Sequence, residues 1–422
     1  MENNIGGIFY PIIRFLRTRL EIGQRSRQWR AVFVTIAAVV VLLMVGLFLV
    51  AMRSHSGIGV PVVIITFIGA FGIALLEPVR RNLMTRRLSK REGYIAQIGM
   101  TTAIYAALFG LSWGLRPTEA VDLSVATMVG STALGAILIV FYEGYPRLSV
   151  RGMPGYLTLS GLAITLSIVY MTAISTYIVP YNPFTLNVGP VRSPPSLSFP
   201  MGTTSLGQDL LSRTIAGGAT MLQVAVLSVA ICFAVGVPLG LAASYRGGLV
   251  DRTVALVMDS IFALPGLVLA IAVAAILGRG VVNMALAISV VYIPSYFRVI
   301  RSQVLTVKEL PYVEAAVVLG ARNRDVLLRY ILPNVLPSSV VVMSMNFADA
   351  ILTAAGLTFI GLGMGIDVAD WGWDLTAGSK DLLVVGAWWI ITFPGIMIVI
   401  LALGFALIGE GVNEILTPRL RE

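Results

Sequence analysis

The chain has 422 residues, 57% of them hydrophobic and 12% charged, with a mean hydropathy of +0.89. So little charge cannot cover the surface of a soluble domain, and the formal charge of +9 sits between long apolar runs, which argues against a nucleic-acid partner. With one histidine (His55, on a short outer turn) and one cysteine (Cys232, inside an apolar run), no intrachain disulfide, Cys/His metal cluster or Ser-His-Asp centre is expected.

Apolar runs of about 20 residues are long enough to cross a hydrocarbon core as helices, which satisfy their own backbone groups. Ten such spans are expected, at about 31–52, 60–76, 94–115, 123–142, 156–179, 219–243, 254–277, 282–300, 336–360 and 384–409. With the N-terminus inside, 24 of the 30 Lys and Arg lie in or beside inner segments. That asymmetry places both termini in the cytoplasm and the basic segments against anionic lipid. The first run is too long for a removed leader and reads as an anchor.

Residues 1–152 hold four spans with Arg-rich inner links (Arg80, Arg81, Arg86, Arg87, Lys90, Arg91) and no motif; they read as an accessory bundle. Residues 153–422 differ in texture, with Gly and Pro at positioned sites. Pro180 to Pro200 has no apolar periodicity and reads as a semi-rigid outer loop, followed by Met201-Gly-Thr203, Leu206-Gly207 and Asp209-Leu-Leu-Ser-Arg213. The runs Gly236-Val-Pro-Leu-Gly240 and Gly361-Leu-Gly363 suit close helix packing.

An inner segment at 308–335 is the most distinctive. It holds Tyr312, Glu314, Ala315, Ala316, Gly320, Leu332 and Pro333. Pro311 suits a first helical turn, Tyr312, Ala315, Ala316 and Leu319 share one face, and Gly320 suits a left-handed helix end. A helix this apolar outside the bilayer reads as a docking surface. Further on, Asp367, Asp370, Asp374 and Asp381 lie with Trp371 and Trp373 in an outer segment whose Gly365, Gly372 and Gly378 argue against a long helix. That segment reads as an interfacial loop, with docking of a solute receptor (Asp209, Asp370, Trp371) and a metal site as alternatives.

Intramembrane charge is sparse, and such groups default to function. Asn346, Asp349 and Asp259 are the candidate pathway residues; Asp349 is read either as lining a solute pathway or as hydrogen-bonded to Asn346 or a partner, while interfacial or packing roles are the stronger reading for Asp259 and Glu410. No Gly-x-x-x-x-Gly-Lys-Ser/Thr phosphate loop is present, so uphill transport would need an outside source of work. A self-contained ion-coupled transporter would show several intramembrane ionisable groups and repeated broken helices, and neither stands out.

The 308–335 segment, with its Glu314-Ala-Ala316, Gly320 and Leu332-Pro333 spacing, resembles the EAA loop of ATP-binding-cassette importer permeases. With Tyr245-Arg-Gly-Gly248, Met258-Asp259, Pro265-Gly266, Ala355 to Gly363, Phe393-Pro-Gly395 and Pro418-Arg-Leu-Arg421, the chain from about 155 onward is similar to the C-type permease of the dipeptide, oligopeptide and nickel family. The resemblance implies an all-α polytopic fold of about ten transmembrane helices: a type I importer-like permease core plus a four-helix N-terminal extension. It also implies a non-catalytic subunit forming half of a solute pathway. Its partners would be a second homologous permease, two ATP-binding subunits that carry the ATP and Mg, and an extracytoplasmic solute-binding protein. The substrate implied is an oligopeptide or dipeptide, with oligosaccharide or nickel as alternatives. No metal or cofactor is expected on this chain.

Overall fold

The computed structural model describes residues 153–416 except 366, together with 58–59, 61–66, 69–70, 106–107 and 128. The first four expected spans, and the reading of 1–152 as a bundle, therefore lie outside the described residues apart from those few positions. Of these, Val62, Val63 and Ala70 pack against Tyr170 and Ile174, and the Thr66 hydroxyl lies 3.3 Å from that of Tyr170.

The described part is helical. α1 (Met153–Ala173) continues after a break at Ile174 as the short α2 (Ser175–Ile178). A loop, expected on the outer side, leads to α3 (Leu210–Arg246), then α4 (Gly248–Phe262), α5 (Gly266–Leu277) and α6 (Val281–Val307). The inner segment holds α7 (Pro311–Val318) and the single turn α8 (Asn323–Asp325). A π-helical stretch (Val326–Ile331) runs directly into α9 (Leu332–Phe359), followed by α10 (Trp371–Val385) and α11 (Trp389–Leu416).

By length and composition, α3, α6, the continuous run Asn323–Phe359 and α11 can each cross a membrane, and α4 with α5 makes a bent fifth. α1 is shorter in its apolar part, Leu157–Ala173. This is an all-α, multi-pass membrane protein.

Three expectations change. The span expected at about 254–277 is two helices meeting at 92°. Pro265 has no N–H to donate, and the residue before a proline is pushed out of helical geometry, so the chain turns there. The span expected from 219 begins nine residues earlier, because Gly217 and Gly218 do not break α3: their missing side chains leave room for the Trp371 ring. The outer acidic segment, expected as a loop, holds the 15-residue α10. Gly372 and Gly378 are tolerated in it because they lie against the backbones of Ala355 and of Ile390 and Ile391.

The core lies where α3, α5, α6, α9 and α11 meet, around Met221, Val224, Ala270, Ile288, Ile351, Leu357 and Leu401. α3 and α6 make the most extensive helix pair. A side chain at Gly236 would come within 3.1 Å of the Ile293 carbonyl and one at Gly240 within 3.1 Å of the Phe297 carbonyl, so close backbone approach is what those glycines permit. A second cluster, with Val237, Ile300, Val304, Val313, Val326 and Val335, continues this packing to the end of the bundle that carries α7 and seats α7 on the long helices.

Candidate functional site

α7 is positioned by its ends. Pro311 occupies its first turn, where a missing N–H costs nothing, and the N–H groups of Val313 and Glu314 reach back to the Leu310 carbonyl. At the far end Gly320 has φ +85°, and the N–H of Ala321 returns to the Ala316 carbonyl. Only glycine takes that conformation without steric cost.

The faces of α7 are sharply divided. Val313 and Ala316 are buried, 2% and 7% exposed, against the chain's own helices. Tyr312, Glu314, Ala315 and Val317 face out, and Val318 and Leu319 project at 85% and 86% exposure. Ala316 was expected on the docking face and is instead part of the seat; its small side chain lets α7 lie close to the core. Leu332 is half-buried against the inner cluster and Pro333, in the first turn of α9, is exposed. Sequence reasoning placed Leu319 on the helix face but missed Val318 and Leu319 as the most protruding apolar groups. Two adjacent aliphatic residues just before a helix-ending glycine were the available signal.

The π-helical stretch links α7 to α9 and has a local cause. Pro333 and Pro337 cannot donate to the carbonyls four residues before them, so the usual ladder fails there and a wider turn takes its place.

Further along α9, Asp349 is exposed, in line with the exposed Met345 and Leu352. Nearby, the Tyr292 hydroxyl of α6 and the Thr353 hydroxyl share a 2.9 Å hydrogen bond. Asn346 is buried, and among the described residues no hydrogen bond joins it to Asp349. Asp259 pairs at 2.8 Å with Arg298, whose guanidinium also lies 3.9 Å above the Phe262 ring. Asp251 forms two 2.8 Å contacts with Arg301. These ion pairs tie α4 to α6 and give Asp259 a partner within this chain.

The outer cap corrects another expectation. Asp209, Asp370 and Trp371, considered for receptor docking, are fully buried. Asp209 caps α3 by accepting from the Ser212 N–H at 2.9 Å, and Asp370 caps α10 by accepting from the Trp373 N–H at 2.8 Å. The Trp371 indole donates to the Thr214 carbonyl at 2.8 Å, wedging α10 onto α3. Arg213, also fully buried, pairs with Asp374 at 2.9 Å and donates to the carbonyls of Pro183 and Val368. Arg192 pairs with Asp381 at 2.9 Å. Among the described residues no group of His, Cys, Asp and Glu is arranged to hold a metal. Sequence reasoning missed the Arg213–Asp374 pair. A cation in the first turn of a helix opposes the helix dipole, so Arg213 itself called for an acidic partner.

Burial pushes the Asp370 carboxyl from 3.8 up to about 6, with the neighbouring Asp374 adding to the rise. A carboxyl raised on folding binds more protons folded than unfolded between those two values. Its contribution to stability is therefore greatest at low pH and is lost as pH rises from about 4 to about 6. Asp370→Asn keeps a side-chain cap without the charge. It is expected to match or exceed wild-type stability by on the order of 1–2 kcal/mol at pH 7 and to flatten the profile between pH 4 and 6. Unfolding in detergent across that range measures it; a less stable Asn variant at pH 7 would show that the ionised carboxylate is needed.

The sequence comparisons agree with this arrangement. The family model for binding-protein-dependent transport system inner membrane components matches residues 236–422. The chain is 35% identical to the glutathione transport system permease protein GsiD of Pectobacterium atrosepticum over 246 residues, 58% of this chain and 81% of that one. It is also 35% identical to the di/tripeptide transport system permease protein DppC of Pseudomonas aeruginosa over 269 residues, 62% of this chain and 88% of that one. With the probable D,D-dipeptide transport system permease protein DdpC of Escherichia coli the identity is 35% over 270 residues, covering 64% and 89%. An apolar helix seated at one end of a multi-pass bundle, and relatives matched over more than four-fifths of their length, lead to one conclusion: this chain belongs to the binding-protein-dependent transport system inner membrane components, the permease subunits of ATP-driven importers.

Proposed function

We propose that this permease imports short peptides across the cytoplasmic membrane, forming one wall of the solute path. A second homologous permease supplies the other wall, two ATP-binding subunits dock beneath, and a solute-binding protein delivers from outside. ATP and Mg reside on the ATP-binding subunits, and this chain performs no catalysis. Relatives named for glutathione, di/tripeptide and D,D-dipeptide transport support the peptide reading over oligosaccharide or nickel. Both termini are placed inside in this reading, which the cation distribution supports.

The observation that carries the reading is the exposed Tyr312, Val317, Val318 and Leu319 rim of α7, apolar yet outside the lipid. An ion-coupled transporter has no use for such a rim. Residues 308–335 act as the coupling loop: Glu314 and Ala315 flank the contact, and Gly320, Leu332 and Pro333 set its angle to α9.

Reconstitution with its partner subunits in vesicles is the test. The complete complex is expected to take up labelled dipeptide only with ATP and the solute-binding protein, and the isolated chain to hydrolyse none. In the same vesicles Leu197→Cys is expected to label from the receptor side and Val318→Cys from the nucleotide side. Uptake driven by an ion gradient without ATP, or labelling of both positions from one side, would overturn the reading.

A further inference from the structure

The membrane-embedded part of α9 carries one carboxylate, and its setting is specific. Asp349 lies ten residues before the helix end at Phe359, about 15 Å along the axis, which places it near the middle of a bilayer core about 30 Å thick. It faces away from the chain's own core, and no described cation pairs with it. The neighbouring polar pair, Tyr292 with Thr353, sits one turn further along the same helix. The break between α4 and α5 falls at the same level: a side chain at Gly266 would touch Val291, next to Tyr292, while Leu267 approaches Gly356, three residues beyond Thr353. Interrupted spans and embedded ionisable groups mark solute paths in membrane transporters.

We propose that Asp349, flanked by the Tyr292 and Thr353 hydroxyls, is a transit subsite for a cationic group of the solute, a protonated amine of the kind a peptide carries at its free N-terminus. An exposed carboxylate at mid-membrane depth is strongly disfavoured against lipid, so its face must line water or a partner. A passing ammonium satisfies it transiently, whereas a fixed cation would have to come from another subunit. The neighbouring Met345 and Leu352 leave the rest of the face apolar, suited to letting a solute leave again. The proposal rests on the permease reading above.

The test uses the assembled complex in vesicles with a thiol at position 352, which is 52% exposed in this chain, while the native Cys232 is buried. During ATP turnover Leu352→Cys is expected to react with water-soluble methanethiosulfonates, the cationic reagent outpacing the anionic one by roughly tenfold relative to their rates on a free thiol. Adding Asp349→Asn should abolish that preference. In the chain without the added thiol, Asp349→Asn should lower maximal dipeptide uptake several-fold at saturating solute-binding protein, and Asp349→Glu should restore most of it. An unreactive thiol would show that a partner subunit covers this face. A preference indifferent to Asp349, uptake unchanged in Asp349→Asn, or loss of subunit assembly in that variant would equally overturn the subsite. Wild-type vesicles assayed alongside separate this outcome from failure of the importer reading, which would appear as no ATP-dependent uptake at all.

Discussion

Replacing Arg213 with Met is expected to destabilise the outer cap by about 3–5 kcal/mol. The guanidinium is fully buried and is shared by three segments. It meets Asp374 of α10 at 2.9 Å, the Pro183 carbonyl of the outer loop at 3.2 Å and the Val368 carbonyl before α10 at 3.1 Å. Methionine fills part of the volume but leaves the Asp374 carboxylate buried without its counter-charge and strips a donor from two carbonyls. Burial already pushes the Asp374 carboxyl up, with Arg213 opposing that rise. Without Arg213 the carboxyl is expected to take up a proton, which limits the loss but does not restore the contacts. Arg213→Met with Asp374→Leu should recover at least half of the lost stability, since an apolar pair of similar volume avoids the stranded charge. Unfolding in detergent, together with proteolysis of the 180–209 loop, measures both variants. Wild-type stability and loop protection in Arg213→Met would show that this pair does not hold the cap.

What could be read from the sequence followed what is periodic and local. Among the described residues the apolar runs gave the long helices, and the Pro311 to Gly320 signals gave both ends of α7, because a proline at a first turn and a glycine at a helix end act on their own neighbours. The bend at Pro265 was partly legible as a Pro-Gly pair, whereas the ion pairs that hold α4 to α6 join residues too far apart in the chain to be read from it. The outer cap was the least legible part. Asp370 and Trp371 look like surface residues in a glycine-rich acidic stretch. They are buried because Gly217 and Gly218, some 150 positions away, leave space for the indole, and Arg213 draws in the acidic helix. Contacts at that separation leave no periodicity to follow. The division of α7 into a seat of Val313 and Ala316 and a rim of Val318 and Leu319 also depended on what lies above it, since most faces of that helix are apolar.

The same division sets the largest functional effect. Leu319→Asp is expected to leave the chain folded and inserted, because the side chain is 86% exposed and touches little of its own protein. In the proposed complex, however, Leu319 and Val318 fill a cleft on an ATP-binding subunit. A charge there loses the apolar burial and strands a carboxylate at the contact, about 2 kcal/mol or more at the centre of such an interface, or roughly 30-fold in docking affinity. Uptake should fall at least tenfold, with the ATP-binding subunits dissociating more readily on purification. Gly320→Val acts differently. Nothing lies within 4 Å of an added side chain, so the strain is purely in the backbone at φ +85°, costing on the order of 1–2 kcal/mol. It should tilt α7 on its seat, and its signature should be hydrolysis that continues with uptake reduced, uncoupling rather than loss of docking. Ala316→Trp, by contrast, falls on the seat and should damage the fold of the inner end itself. Uptake and ATPase rates measured together in reconstituted vesicles separate the three. Wild-type coupling in both Leu319→Asp and Gly320→Val would remove α7 from the path by which hydrolysis reaches α9.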